Sequence, residues 1–315
     1  MILRLNQLTE KTFEDVSPAD VKSISIEGPA DDEKIKMLQH LLSANREIKV
    51  TLVVEPDISA KSDQLVNLEI IQILDNLRHL TLLCFSSVQL KSLQILESLQ
   101  SLEFFRISGN YDKKIDLAPL RRNRNLLDFE LEFGFVDKKQ IDFVNGLEHL
   151  QSLKVSVLDA ALMEENTNLK SLSVRNTLKN ANQLSKTCPL LREFQINIAK
   201  AVESFDFLNS FQHLEELLIG NTGKLVSVPK LSSSEKIKDL KLLFTPNFSD
   251  IESILQFENL EGFALSEFTS ISMNQIAKLQ SLKKLRRVYL SFKDSKDEKL
   301  FNEMAYKNGW EDSLK

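Results

Sequence analysis

The stretch LLDFELEF (126–133) alternates apolar and acidic side chains. Alternation with a period of two is typical of a β-strand with one buried and one outward face. Its three carboxylates suggest a metal site, an acid/base pair, or the outward side of one strand in a larger sheet. The apolar residues favour the third interpretation, because Leu126, Phe129 and Leu131 are the first, fourth and sixth residues of an L-x-x-L-x-L pattern that is not confined to this stretch.

The same pattern recurs through the whole chain. Twelve candidate units begin at residues 21, 45, 77, 102, 126, 150, 169, 191, 214, 237, 260 and 285. Nine of the 11 spacings between these starts are 22 to 25 residues, and 35 of the 36 pattern positions are apolar in a chain that is 42% apolar. The exception is Asn45, at the first position of the second unit. A repeat of this length indicates that each unit is one strand with its return segment.

Between the strands the apolar period changes from two to three. Apolar residues at every third position are found at Ile141, Val144, Leu147 and Leu150, and again within 205–214, 251–260 and 276–285. This spacing favours short α- or 3₁₀-helices that present one buried stripe. No single unit can bury its own apolar face, so stacking of the units is expected to form a continuous core.

With L-x-x-L-x-L at this period, the chain resembles the leucine-rich-repeat family. The resemblance covers 21–292, about 12 divergent repeats. It implies an α/β fold: a horseshoe-shaped solenoid with a parallel β-sheet on its concave face and short α- or 3₁₀-helices on its convex face. It mostly implies binding, and it does not name a target. The sequence departs from the family after the strand, where the expected Asn is found cleanly once, as Asn110. We therefore expect irregular curvature on that side.

The segments outside the repeats, 1–20 and 293–315, are expected to cap the two ends of the solenoid, because terminal repeats need a polar outer face. In the C-terminal cap the sequence predicts a polar helix. We expect Leu300, Met304 and Trp310 to close the last repeat. For Trp310, an anchor that contacts a partner is the alternative interpretation.

Two helices are predicted near the N-terminus. The stretch 31–45 has acidic residues where a first helical turn favours them. The stretch 62–77, with Ser62 as its N-cap, accounts for the longest spacing between units.

Composition narrows the class of protein. A net charge of −5 gives no global footprint for nucleic acid or for an anionic membrane surface. No apolar run approaches the roughly 20 residues that a membrane span needs, and the N-terminus turns polar after five residues, so no leader peptide is expected. The two cysteines, Cys84 and Cys188, are too few for a disulfide framework and predict a cytoplasmic protein. We expect Cys188 to be buried and Cys84 to be exposed after its strand.

The repeat register predicts which side chains project from the concave face. If the pattern residues point inward, the residues between them point outward and form a patterned or self-neutralising surface. The candidate partner-binding residues are Phe104, Arg106, Asp128, Glu130, Glu132, Lys154, Arg175, Glu193, Glu216, Lys241 and Tyr289. Aromatic side chains at or beside outward positions, which also include Phe133, Phe244 and Phe292, are candidate interface anchors.

No catalytic, metal-binding or cofactor-binding residue is predicted. Three carboxylates on one strand, at Asp128, Glu130 and Glu132, lie too far apart to converge on one metal ion without a covering loop. A pair for acid/base chemistry needs carboxyl groups on separate elements around a cleft. We expect instead one solvated or partner-facing acidic stripe. The sequence also lacks phosphate-binding glycine loops, dinucleotide motifs and paired cysteine motifs.

These observations favour a non-enzymatic protein-interaction module, a monomer that binds a protein or peptide on its concave face as a scaffold or regulator. An inhibitor or immunity protein that neutralises a toxin or another enzyme is the alternative. A substrate-recruiting part of a transferase or ligase is more remote, because only 1–20 and 293–315 lie outside the repeats. Nucleic acid and membrane are not expected partners, and no cofactor is expected.

Overall fold

The computed structural model describes residues 1–312 except 29, 57–64, 67, 75, 86, 88, 136, 269 and 293. The chain forms two compact units, Met1–Val155 and Ser156–Lys315. Each unit is a stack of parallel strands connected by short helical segments. Parallel neighbours need a crossover between them, which the helical segments provide.

The first unit contains the strands β1 to β8 and the beginning of β9. Their bounds are β1 (Ile2–Arg4), β2 (Ser23–Glu27), β3 (Lys49–Val53), β4 (Glu55–Pro56), β5 (Leu65–Val66), β6 (His79–Cys84), β7 (Phe104–Gly109), β8 (Asp128–Leu131) and β9 (Ser152–Asp159). The sheet order is β1-β2-β3-β6-β7-β8-β9, and the neighbours pair in parallel. Strands β4 and β5 form a separate antiparallel pair.

The second unit continues with strands in chain order. Their bounds are β10 (Ser171–Lys179), β11 (Glu193–Ile196), β12 (Glu216–Gly220), β13 (Asp239–Leu243), β14 (Gly262–Leu265) and β15 (Arg287–Leu290). All five neighbouring pairs are parallel. Each of the 12 predicted repeat units therefore has its strand, and β1, within the segment expected to be a cap, adds a further strand that pairs with β2.

The helical segments are mostly 3₁₀. The α-helices are α1 (Glu10–Glu14), α2 (Asp32–Ala44), α3 (Lys138–Asn145), α4 (Leu184–Thr187), α5 (Met273–Ile276) and α6 (Ser295–Asn308). The 3₁₀ turns are Leu5–Gln7, Pro18–Asp20, Leu68–Ile73, Gln94–Ser98, Ala118–Arg122, Ala160–Leu162, Ala181–Gln183, Ala199–Ala201, Asp206–Ser210, Ser234–Lys236, Ile251–Gln256 and Ala277–Ser281. Apolar residues three apart eclipse on a 3₁₀ turn, so Ile251 and Ile254 are both fully buried.

Equivalent repeat positions stand side by side in the sheet. Phe129 pairs with Phe105 on one side and with Leu153 on the other, so the fourth positions form one buried row. The predicted register is wrong in the second repeat, which begins at Asn45. Val50 pairs with Ile24 and Leu80, which makes it a fourth rather than a sixth position. The mistake arose because Ile48, also buried, supplied an equally apolar but shifted match.

The predicted helix over 31–45 is confirmed as α2, and its N-cap Asp31 accepts a hydrogen bond from the Lys34 amide at 2.9 Å. The predicted helix over 62–77 is confirmed only in part, because its helical residues are confined to a 3₁₀ turn. The structure has a strand at Leu65–Val66 and a 3₁₀ turn at Leu68–Ile73, while Ser62 lies outside the described residues. Pairing of β5 with β4 takes up the backbone groups that a continuous helix would have used.

The C-terminal cap closes through Phe301 and the predicted Trp310, and not through the predicted Leu300. Leu300 is 43% exposed, whereas its neighbour Phe301 on α6 is buried. The Phe301 ring packs between Phe292, at 5.4 Å, and Trp310, at 6.4 Å between ring centroids. The backbone of Glu311 then bonds to β15, accepting from the Val288 amide at 2.7 Å. The sequence predicted a polar helix but not the rotation of that helix about its axis.

Asn side chains satisfy backbone carbonyl groups after β7 and β12, at the position that the family pattern predicts in one repeat and one residue earlier in the other. The side-chain amide of Asn110, the expected position, donates to the Ser87 carbonyl at 3.3 Å. In a later repeat Asn221, one residue before the expected position, donates to the Asn197 carbonyl at 2.8 Å. The architecture is therefore an α/β leucine-rich-repeat fold with divergent turns after the strands.

Candidate functional site

In each unit, the outer face of the parallel strands is formed by side chains that alternate with the buried fourth and sixth positions of the repeat. In the first unit this outer face carries Phe104 next to Asp128, and Arg106 next to Glu130, which in turn adjoins Lys154. Six of the 11 predicted partner-binding residues belong to this unit and five to the second. The three acids among the six, Asp128, Glu130 and Glu132, do not form the expected acidic stripe.

Glu130 is a buried acid, not a solvated one. It is 7% exposed, and its Oε1 lies 3.4 Å from Nε of Arg106 on the neighbouring strand. A carboxylate this deeply buried must keep its cation, because removing one partner leaves an uncompensated charge. Glu130 is therefore a structural member of the sheet, and the prediction that it lies on a solvated stripe is wrong.

Glu132 also has an intramolecular role. Strand β8 ends at Leu131, and the Glu132 carboxylate accepts a hydrogen bond from the Gly109 amide at 2.7 Å. This carboxylate thus satisfies a backbone donor at the bend after β7. Of the three acids in the quoted stretch, Asp128 remains half-buried on the outer face.

The second unit carries a like-charged row on its outer face. Glu193 pairs in register with Glu216, and Glu216 with Asp239, on the consecutive strands β11, β12 and β13. Neighbouring strands are about 4.8 Å apart, and like charges directly opposite each other destabilise a sheet. We call Glu193, Glu216 and Asp239 the acid row.

One member of the acid row is neutralised across an intervening strand. Arg287 on β15 reaches Asp239 on β13 with its Nη2, at 2.9 and 3.1 Å from the two carboxylate oxygens. Between them lies Gly262 of β14, where an added Cβ would stand 2.1 Å from the Asp239 Oδ1. A glycine inside a strand indicates close approach of another group, and here that group is the ion pair. Gly262, inside a predicted strand, is therefore the sequence signal for this ion pair.

Glu193 and Glu216 have no ion pair within 4.0 Å among the described residues. Partial desolvation of the carboxyl, followed by the charges of Glu193 and Asp239, raises the pKa of Glu216 above its ordinary value, although Lys241 opposes the shift. The folded state thus holds these two charges near each other without a cation in contact.

The residues that directly precede the acid row alternate in charge and form ion pairs with one another. Arg192, Glu215 and Lys238 each precede one member of the acid row, and Glu215 bonds to Arg192 at 3.3 Å and to Lys238 at 2.7 Å. The hydrogen bond from Lys238 lowers the pKa of Glu215 below its ordinary value. Alternating charges therefore neutralise one another in this row, whereas the acid row beside it is not self-neutralising.

The remaining predicted residues of the second unit are spread over the same face. Lys241 stands between Leu218 and Ala264 in register, and Tyr289 adjoins Ala264 on the other side. Lys241, Glu216 and Gln195 border a depression of about 50 Å³. Arg175 lies half-buried on β10. Beside the predicted residues, Leu218 and Leu243 expose part of their apolar side chains.

Other reactive side chains are placed in the core. Cys188 is buried as expected, and burial raises the pKa of its thiol to about 11. The expectation that Cys84 is exposed is wrong, because it is the last residue of β6 and 1% exposed, with its pKa raised to about 12 by desolvation.

Within the described part of the chain, no three His, Cys, Asp or Glu side chains are grouped to hold a metal ion. In the same residues no helix has the length and apolar character to span a membrane.

Comparison with solved structures returns leucine-rich-repeat proteins. An internalin of Listeria monocytogenes strain 4b F2365 is 17% identical over 92% of this chain and 93% of its own, with a TM-score of 0.43. The mouse RP105/MD-1 complex matches at 17% identity over 85% of this chain, which spans 50% of the matched chain, with a TM-score of 0.49. A leucine-rich-repeat protein of Leptospira interrogans is 18% identical over 90% of this chain and 87% of its own, with a TM-score of 0.39. No family model matches the sequence, and no curated protein matches it.

The raised pKa of Glu216 predicts a pH-dependent effect of its neutralisation. A carboxyl whose pKa is higher in the folded state binds more protons there, so the free energy of unfolding falls as the pH rises through that window. We expect Glu216→Gln to remove this loss, so that the variant gains stability over the wild type as the pH rises through and above the ordinary titration range of a glutamate. Thermal unfolding across this range measures the difference. A difference between the two proteins that does not change with pH would contradict the shifted pKa.

Proposed function

We propose that the protein is a non-enzymatic protein-binding module, and that the outer face of β11 to β15 receives a partner through basic side chains. The observation that supports this most directly is the acid row, where Glu193 and Glu216 lie side by side and neither has an ion pair within 4.0 Å among the described residues. The neighbouring row shows that this sheet readily accommodates alternating charges that pair with each other. A partner that brings Lys or Arg to the acid row would supply the missing cations.

Binding would relieve a repulsion that the free protein carries. Like charges across a strand pair destabilise the free sheet, and opposite charges of a partner remove that repulsion on binding. Charge complementarity of this kind also raises the association rate and makes it sensitive to salt. In the first unit, Asp128 and Lys154 stay candidate partner-binding residues by themselves, because Glu130 and Glu132 are engaged within the fold.

Reversing the acid row should abolish capture of a basic partner. We expect the double variant Glu193→Lys/Glu216→Lys, immobilised and exposed to an extract of the native cell, to lose a protein that the wild type retains. The measurement is quantitative mass spectrometry of the bound fraction. Two repelled charges replacing two attractive ones should weaken retention by about a hundredfold or more.

The matched control makes the same change of net charge away from the strands. Glu258 and Glu303 are exposed and lie in the same unit, outside the sheet, so Glu258→Lys/Glu303→Lys should keep the partner. Equal retention by both double variants would show that the acid row is not part of the binding surface. Loss of the partner from both double variants would show that net charge, and not the acid row, determines retention.

A further inference from the structure

Three consecutive repeats of the second unit turn through the left-handed backbone conformation within two residues of the ends of their strands. The residues are Asn221 after β12, Phe244 after β13 and Glu267 in the turn after β14, with φ of 50°, 56° and 60°. They occupy equivalent places, since Leu243 pairs with Gly220 and the Phe244 amide bonds to Ser266. In the first unit, Gly109, with φ of 90°, ends β7 in the same conformation.

Phe and Glu are poorly suited to the left-handed conformation. Glycine and asparagine adopt it readily, whereas a bulky side chain such as Phe is strained there. Phe244 and Glu267 therefore make the fold less stable than Gly or Asn at the same positions would. Such outliers, when held by the surrounding structure, are found preferentially at functional sites.

The surrounding structure fixes Phe244 and leaves its ring in solvent. The Phe244 amide donates to the Ser266 hydroxyl at 3.0 Å, and the next residue, Thr245, is fully buried. The Thr245 carbonyl accepts from the Phe248 amide at 3.0 Å, which closes the turn. Even so, Phe244 is 52% exposed. A large aromatic side chain on a fixed backbone loses little conformational entropy when it is covered, which is typical of an interface anchor.

The neighbours of Phe244 are apolar or acidic. Leu243, the preceding residue, is half-buried, and Glu267 in the next repeat is exposed, with no ion pair among the described residues. In the loop of the preceding repeat, Lys224 forms an ion pair with Glu203 at 2.7 Å. The free charge beside the exposed ring is therefore negative.

We propose that Phe244, Leu243 and Glu267, together called the left-handed corner, seat a segment of a protein partner that presents an apolar side chain next to a Lys or Arg. This proposal rests on the proposed function and names the chemistry of its partner. Phe244 lies five residues beyond Asp239 on the same strand and turn, a span of about 16 Å. An extended segment of about six residues therefore reaches the left-handed corner and the acid row at once.

Selection from a displayed library of random 12-residue peptides on the purified full chain tests this proposal. We expect the enriched peptides to pair a basic residue with an aromatic or aliphatic one. Measured by fluorescence polarisation, the synthetic peptides should bind Phe244→Asn at least tenfold more weakly than the wild type. Because Asn tolerates the left-handed conformation, the variant should unfold at the same or a higher temperature than the wild type, which separates lost contact from lost folding. Phe85→Asn, which removes a ring that is 73% exposed in the first unit, should bind like the wild type.

Several outcomes would overturn the assignment. Peptides that bind Phe244→Asn and wild type equally, yet bind Glu193→Gln/Glu216→Gln weakly, would exclude the left-handed corner from the binding surface. That result would still agree with the proposed function. Enriched peptides that are acidic, or no enrichment over background, would contradict both. Concentration-dependent self-association of the wild type, lost in Phe244→Asn, would identify a second copy of the chain as the occupant and refute the basic segment.

Discussion

Phe129→Asp is expected to unfold the first unit. Phe129 is 1% exposed and lies between Phe105, at 6.0 Å, and Phe143, at 5.6 Å between ring centroids. Truncation of such a ring costs about 3–5 kcal/mol, and burial of an unpaired carboxylate adds to this loss. The total is comparable to the whole stability of a typical domain. Far-UV circular dichroism during urea denaturation measures the effect, and we expect the variant to lack a native baseline at 25 °C.

Two further variants identify burial as the cause. Phe129→Leu keeps an apolar side chain of similar volume and should cost about 1 kcal/mol. Phe85→Asp places the same charge at a position that is 73% exposed and should leave the denaturation midpoint unchanged. A folded Phe129→Asp protein with near wild-type stability would mean that the fourth position of this repeat does not face the core.

Gly109→Ala is expected to have the largest effect among conservative changes. Gly109 has φ of +90°, and a Cβ there would stand 2.2 Å from the Cys84 carbonyl oxygen and 2.8 Å from its carbon. Those atoms belong to the backbone of the neighbouring strand β6, so they cannot rotate away as a side chain does. The Gly109 amide also donates to Glu132, and a shift of this residue would break that bond. We expect a loss of about 3 kcal/mol or more in the free energy of unfolding.

Gly309→Ala provides the matched control. Gly309 also has a positive φ, of +66°, but an added Cβ would meet no atom within 4 Å. Conformational strain alone then applies, and we expect a loss of about 1 kcal/mol. Similar losses for the two variants in urea denaturation would show that the close approach of β6 and β7 at Gly109 is not required for folding.

The strands and the buried rows could be predicted from the sequence because they depend on a period that every repeat restates. Phe129 and Leu131 are core residues in LLDFELEF for the same reason as their counterparts in the neighbouring units. The exception, at Val50, arose where Ile48 offered a second apolar match two residues earlier. Local ambiguity of this kind disappears only when the neighbouring strands fix the register.

The roles of individual outer residues could not be predicted, because they depend on neighbours across the sheet. Period alone places Glu130 and Glu216 in equivalent, outward positions. The structure gives Glu130 an arginine on the adjacent strand, whereas Glu216 has acidic residues on both sides. The residue type of Phe244 does not indicate its left-handed conformation, and the equivalent Asn221 in the preceding repeat is the sequence signal for a positive φ at this position.

Calorimetric titration of the captured protein into Glu193→Gln/Glu216→Gln tests the claim that the acid row binds a basic partner. Neutral glutamines keep the shape of the surface and remove its charge. We expect the dissociation constant to rise at least tenfold over the wild type, with no loss of thermal stability. A dissociation constant equal to that of the wild type would contradict the claim.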